Sequence, residues 1–124
     1  MNCSVLIVDD EPMTLGLLRM MLEPVGFSVT GVEGGIEALA CVSRQRPDVM
    51  ILDVMMPDLD GIAVCKTLRS RPETANLPIV MLSGKTHLNA EEEGLAAGAN
   101  KYLFKPMSRT DLINSLRAVL SAQN

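Results

Sequence analysis

Four short apolar runs punctuate the chain, and each ends on a polar residue. Val5 to Val8 meets Asp9 and Asp10, Val49 to Leu52 meets Asp53, Ile79 to Leu82 meets Ser83, and Tyr102 to Phe104 meets Lys105. The segments between them carry apolar residues at helical spacing. This alternation predicts βα units around a parallel sheet covered on both faces, an α/β fold. Strands are predicted near 4 to 9, 27 to 32, 48 to 53, 78 to 83 and 101 to 104, and helices near 12 to 24, 35 to 45, 61 to 70, 88 to 97 and 108 to 121.

Local signals place the helix ends. Pro12 suits a first helical position, Gly26 follows the first helix, Asp60 can cap the third, and Ser108 with Asp111 forms a capping-box-like pair. Leu15, Leu18 and Leu22 share one helical face, as do Leu112, Leu116, Val119 and Leu120, and both stripes are expected to face the sheet. The polar segment 69 to 76, with Pro72, reads as a helix end and loop rather than a domain boundary. No repeat or linker divides the 124 residues, so one domain over 1 to 124 is expected, with no room for a second.

Composition narrows the chemistry. Apolar residues make up 48% of the chain but aromatics only 2%, so the core must be aliphatic, and nine methionines make it adaptable. A net charge of −4 gives no long-range attraction for nucleic acid or anionic lipid. No apolar stretch is long enough to span a bilayer or serve as a secretory leader. Cys3, Cys41 and Cys65 are odd in number, scattered and set among apolar residues, which fits buried thiols in a reducing cytoplasm rather than disulfides or a zinc site.

The strand ends carry the functional signal, because ligands of open α/β sheets bind outside the carboxyl ends of the strands. If the runs are parallel, three carboxylates, a hydroxyl and an ammonium meet at one edge. Two carboxylates about 4 Å apart repel by about 4 kcal/mol at an effective dielectric of about 20. Lys105 offsets one of three, and a divalent cation in an all-oxygen site, Mg²⁺ or in its place Mn²⁺, would bring the formal charge to zero. Taken singly, Asp9, Asp10 and Glu11 could be a strand end and helix start, Ser83 a cap, and Lys105 a solvated surface charge. Asp53 at the end of a central strand would be costly without a partner, and the joint placement favours a site.

VLIVDDE at 5 to 11, ILDVMMPDLDG at 51 to 61, IVMLSG at 79 to 84 and GANKYLFKP at 98 to 106 resemble, in order and spacing, the motifs of the receiver domain of bacterial two-component response regulators. The resemblance covers essentially the whole chain. It implies a flavodoxin-like (βα)5 doubly wound sheet of order 2-1-3-4-5 with helices on both faces. It further implies a phosphorylation-dependent switch, with Asp53 as phosphoacceptor from a sensor histidine kinase or a histidine phosphotransfer protein. By the same resemblance Asp10 and Asp53 ligate Mg²⁺ directly, Asp9 acts largely through water, and Met55 offers its backbone carbonyl. Lys105 and the metal stabilise the phosphoryl oxygens, Ser83 donates its hydroxyl to one of them, and Tyr102 swings toward Ser83 as the aromatic switch. The Lys105–Pro106 bond is expected to be cis, and Gly61 to allow a tight turn.

The resemblance places the changing surface on helix four, strand five and helix five, facing a downstream target, an output domain elsewhere, or a second copy in a phosphorylation-dependent dimer. Met55, two residues after the acceptor, and Lys85, two after Ser83, flank the path of attacking water, and the apolar Met55 is expected to slow hydrolysis. His87 reads as an exposed loop residue rather than a relay. Three alternatives stand beside this. A phosphatase of the haloacid dehalogenase type wants a general acid at position 55, where Met55 stands. A nucleotide or flavin domain wants glycines in the first turn, where Asp9, Asp10, Glu11 and Pro12 stand. A degenerate receiver would have lost an acidic residue or the lysine, and none is lost.

Overall fold

The computed structural model describes residues 3 to 84 and 89 to 122, so Lys85 and His87, and Leu88 at the start of the predicted fourth helix, lie outside the described residues. The chain alternates β1 (Ser4–Val8), α1 (Pro12–Leu22), β2 (Ser28–Val32), α2 (Gly35–Arg44), β3 (Val49–Asp53), α3 (Gly61–Arg69), β4 (Ile79–Ser83), α4 (Ala90–Ala97), β5 (Lys101–Phe104) and α5 (Arg109–Ser121). All pairings are parallel and the strand order is β2-β1-β3-β4-β5.

Within a strand successive side chains point to opposite faces, and here both faces are apolar. Leu6, Val8, Met50, Leu52, Ile79 and Met81 pack with residues of α2, α3 and α4, including Val42, Val64, Leu68 and Ala97. Val5, Ile7, Val49, Ile51, Val80 and Leu82 pack with α1 and α5 through Leu18, Leu22, Leu112 and Leu116. The edge strand β2 departs from the continuous apolar pattern, with Ser28 and Thr30 exposed and Val29 and Val32 buried. Of the cysteines only Cys65 is buried; Cys3 and Cys41 are half-buried, and all three are free thiols. The expectation of three buried thiols therefore fails for the two that sit near the outer ends of β1 and α2.

The first helix stops two residues early. Pro24 lacks an N–H and cannot continue an α-helix, so residues Glu23–Val25 form a 3₁₀ turn that ends on Gly26 at φ 110°. Asp60 caps α3 by accepting from the Ala63 N–H at 2.8 Å, and Ser108 caps α5 by accepting from the Asp111 N–H at 3.0 Å. The outer face of α1 presents Met13, Leu17 and Met20, 89%, 54% and 74% exposed, beside the apolar stripe that meets the sheet. The helix is apolar on both sides.

Gly61 does not serve the turn that the sequence suggests. Its N–H donates to the Val54 carbonyl at 2.8 Å, and a side chain there would run into the Asp53 carbonyl oxygen and lie 2.9 Å from Val54 Cα. The glycine allows the start of α3 to close against the end of β3. Because the obstruction is backbone, Gly61→Ala is expected to destabilise the fold by about 1–3 kcal/mol, measured as a shift in urea midpoint at unchanged m-value.

Candidate functional site

The strand order brings the acidic residues together. β1 lies between β2 and β3, so the chain direction of the sheet's growth reverses at the β1–β3 boundary, where a crevice opens at the strand ends. Val8 sits opposite Leu52 and Asp53 opposite Leu82, which sets Asp9 level with Asp53 and Ser83 one residue beyond. The Asp9 N–H still donates to the Val32 carbonyl at 3.1 Å, and the Lys105 N–H to the Ser83 carbonyl at 2.9 Å, so both residues are held one step beyond their strands.

One carboxylate oxygen from each of Asp9, Asp10 and Asp53 lies within 4.8 Å of the others. Asp9 is nearly enclosed: one oxygen accepts from the Glu11 N–H at 2.9 Å and the other from Lys105 Nζ at 2.8 Å. Lys105 Nζ is farther from Asp53 Oδ2, at 3.8 Å. Asp53 accepts a long bond of 3.4 Å from the Met55 N–H. Asp10 is exposed and faces an open cleft of about 700 Å³, also lined by Met55, Met56, Asp60, Ile62 and Glu93. Ser83 is fully buried at the end of β4. The Lys105–Pro106 bond is cis.

Burial is the main cause that lifts the Asp53 carboxyl from 3.8 to about 6; the Asp9 charge adds to it, and Lys105 with the Met55 N–H pulls the other way. For Lys105, burial alone would lower the ammonium, but the Asp9 hydrogen bond and the charges of Asp53 and Asp9 outweigh it and the net shift is upward. Three carboxylates against one ammonium leave an unmet demand for positive charge, and the upward shift of Asp53 registers it. The donors are all oxygen, the set that a small hard cation prefers, and the residues present fit Mg²⁺.

All the residues that the sequence singled out for the acidic site, Asp9, Asp10, Asp53, Met55, Ser83 and Lys105, thus lie at one edge. Met55 turns its side chain to solvent, 60% exposed. Tyr102 is buried against Met81 and Gly94, and its ring lies 5.1 Å from that of Phe104 at 57°. Sequence inspection missed the partners of this ring. It also missed a tie between Asp58 and the start of α2, for which the only signal is the Gly34–Gly35 pair, since neither residue brings a side chain to cap the helix.

The fold and this acidic edge define a single receiver-type α/β domain. A family model described as response regulator receiver domain matches residues 5–117. The probable transcriptional regulatory protein TcrX of Mycobacterium tuberculosis (strain ATCC 25618 / H37Rv) is 41% identical over 117 residues, covering 94% of this chain and 49% of TcrX. A putative response regulator from Chloroflexus aurantiacus J-10-fl superposes with a TM-score of 0.94 at 36% identity, over 98% of this chain and 99% of that one. The receiver domain of the sensor histidine kinase PA1611 from Pseudomonas aeruginosa PAO1, solved with a magnesium ion coordinated in the active site cleft, has a TM-score of 0.90 at 31% identity over 98% of this chain and 99% of that one. The chain belongs to the response regulator receiver domain family, the signal-receiving module of two-component systems. It spans about half the length of the curated relatives it matches. Among the described residues no helix is long and apolar enough to cross a membrane.

The raised Asp53 carboxyl has a consequence for stability without metal. The folded chain holds this proton more tightly than the unfolded chain, so the contribution favours folding below pH 3.8 and is lost as pH rises through about 6. Allowing for solvent screening at an open sheet edge, the ionised carboxylate costs about 1–2 kcal/mol at neutral pH. In chelator-treated protein, Asp53→Asn should therefore be more stable than wild type at pH 7.5 and nearly equal to it at pH 4. Urea titrations across this range check the expectation, and a difference that does not change with pH would contradict it.

Proposed function

We propose that Asp53 accepts a phosphoryl group from a phosphohistidine on a sensor histidine kinase or a histidine phosphotransfer protein, and that the resulting acyl phosphate switches the domain. The observation that carries this is Asp53 itself, a buried carboxylate at a strand end, flanked by Asp9 and Asp10 and within 3.8 Å of Lys105 Nζ. In the step, an Asp53 oxygen forms a bond to phosphorus while the P–N bond of the donor breaks, and the imidazole nitrogen keeps the electron pair.

Asp10, Asp53 and the Met55 carbonyl would hold Mg²⁺, with Asp9 acting mainly through water because its oxygens already serve Lys105 and the Glu11 N–H. Bound Mg²⁺ supplies the positive charge that lets anionic phosphoryl oxygens approach an acidic edge. Lys105 leaves the Asp9–Asp53 pair to meet a phosphoryl oxygen, and Ser83 donates its hydroxyl to another. Ser83 moving toward that oxygen makes room into which the Tyr102 ring, already seated on Gly94, settles further. The domain catalyses its own modification and is not a turnover enzyme on outside phosphoesters, since position 55 holds no acid.

The face formed by α4, β5 and α5 carries the output. A groove of about 630 Å³ there is lined by Lys101, Leu103, Phe104, Met107 and Asn114 among others, and it meets a downstream target, an output domain of a longer protein or a second copy. The exposed stripe of Met13, Leu17 and Met20 starts beside Asp10 and suits the docking of the phosphodonor. The half-buried free thiols Cys3 and Cys41 fit a reducing cytoplasm.

Incubation with acetyl phosphate and Mg²⁺ should label Asp53, as read by intact mass and peptide mapping, and Asp53→Asn should abolish the label. Lys105→Ala should slow it on the order of a hundredfold, the typical loss of one preorganised charge-stabilising group. Labelling of another residue in wild type, or steady turnover of a chromogenic phosphoester, would contradict the assignment. Binding of Mg²⁺ should also show as stability: at about ten times its dissociation constant it should add about 1.4 kcal/mol, and a melting temperature indifferent to Mg²⁺ would count against the metal site.

A further inference from the structure

The loop that follows Asp53 is anchored at both of its own ends, by the Gly61 N–H on the Val54 carbonyl and by the Asp60 cap of α3. A further anchor lies outside the β3–α3 unit. Asp58 Oδ1 accepts from the Gly35 N–H at 3.1 Å and from the Leu59 N–H at 2.8 Å, while Oδ2 accepts from the Ile36 N–H at 3.1 Å. Gly34 occupies the N-cap position of α2 and has no side chain, so a residue more than twenty positions away satisfies N–H groups that the helix leaves open.

The approach is close enough to require the glycine pair. A Cβ on Gly34 would lie 2.8 Å from Asp58 Oδ2, and one on Gly35 would lie 2.5 Å from the Leu59 carbonyl oxygen. The side chain must also be a carboxylate, because three donors converge on two oxygens and an amide would offer one. The carboxyl is held below its ordinary range by the Ile36 and Gly35 N–H groups, although it is exposed to solvent. None of this reaches the acidic cluster directly. Met55, however, stands three residues earlier in the same short loop.

We propose that Asp58 is a positioning residue for the metal site: by capping α2 from across the chain it fixes the course of loop 54–60, and with it Met55, whose N–H donates to Asp53 and which lines the cleft shared with Asp10. The proposal rests on the receiver reading, in which Met55 lends its carbonyl to Mg²⁺. It assigns the Gly34–Gly35 pair and Asp58 one joint task, keeping the phosphoacceptor loop in register with a helix that contributes none of the clustered carboxylates. Outer groups hydrogen-bonded to a metal ligand typically govern about tenfold to a hundredfold of the metal affinity, and Asp58, acting through the loop, takes the low end of that range.

The test uses the full chain as wild type, Asp58→Ala, Asp58→Asn and Asp48→Ala. Asp48 makes a comparable tie, accepting from the Ser4 N–H at 2.7 Å, at the opposite edge of the sheet. Mg²⁺ half-saturation is read by calorimetry and, separately, from the Mg²⁺ dependence of acetyl phosphate labelling. Asp58→Ala should raise the half-saturation about tenfold while the labelling rate at saturating Mg²⁺ stays within about twofold of wild type. Asp58→Asn should fall between, and Asp48→Ala should lower the melting temperature without moving the half-saturation. If Asp58→Ala does not fold, Gly34→Ala, which presses on the same carboxylate from the helix side, carries the same expectation.

An Asp58→Ala protein that melts lower yet keeps the wild-type half-saturation would overturn the proposal, leaving Asp58 as a helix cap alone. So would a variant whose rate falls at saturating Mg²⁺ with no change in half-saturation. A wild-type protein that neither binds Mg²⁺ nor takes the label would remove the receiver reading beneath the proposal, and both would fall together.

Discussion

Repulsion between carboxylates at the β1–β3 crevice is the constraint around which the rest of the molecule is arranged. Asp9 and Asp53 are both buried there, and burial of like charges is the arrangement that folding normally avoids. It persists because the aliphatic sheet beneath holds the two strand ends side by side with no freedom to spread. The cost is offset in part by Lys105, and what is left shows in the raised carboxyl of Asp53. A divalent cation would relieve the same imbalance more completely, which is why the acidic edge fits one.

The surrounding structure serves to keep that crevice from relaxing. On one face of the sheet α1 and α5 close over Val5, Ile7, Ile51 and Leu82; on the other α2, α3 and α4 close over Leu6, Val8, Leu52 and Met81. The loops at the acidic end are then pinned by local devices: the Asp60 cap, the packing of Gly61 onto β3, and the reach of Asp58 to α2. At the far end of the sheet a second set does similar work. Arg69 bridges the Gly98 carbonyl, the Thr74 carbonyl and Asn100 Oδ1, and that same oxygen takes the Ile79 N–H, joining the ends of α3 and α4 to the starts of β4 and β5.

Hydrophobic periodicity placed all five strands to within one residue, because runs such as VMILD are buried on both faces and leave no competing pattern. The acidic cluster was legible for a related reason: in a parallel sheet the residue after each apolar run arrives at the same edge, so Asp9, Asp53, Ser83 and Lys105 could be grouped without knowing any loop. What was not legible depended on contacts between segments that periodicity does not relate. Pro24 turned the end of α1 into a 3₁₀ turn, Cys3 and Cys41 reached the half-exposed margins of the core, and Gly61 proved necessary for close approach rather than for a turn. The Asp58 tie and the seat of Tyr102 on Gly94 are long-range in sequence, and a glycine in a helix gives no hint of the ring that will lie on it.

The two halves of the charged site differ in how firmly they are mounted. Asp9 and Asp53 extend from interior strands with a neighbour on each side, whereas Lys105 follows β5, an edge strand paired only to β4. A load applied to the acids has nowhere to go within the sheet. The same load applied to the lysine can be taken up by the margin, where the Tyr102 ring lies on Gly94 of α4 and tilts against Phe104. The acids are thus mounted more firmly than the lysine, a mechanical asymmetry that follows from strand order alone.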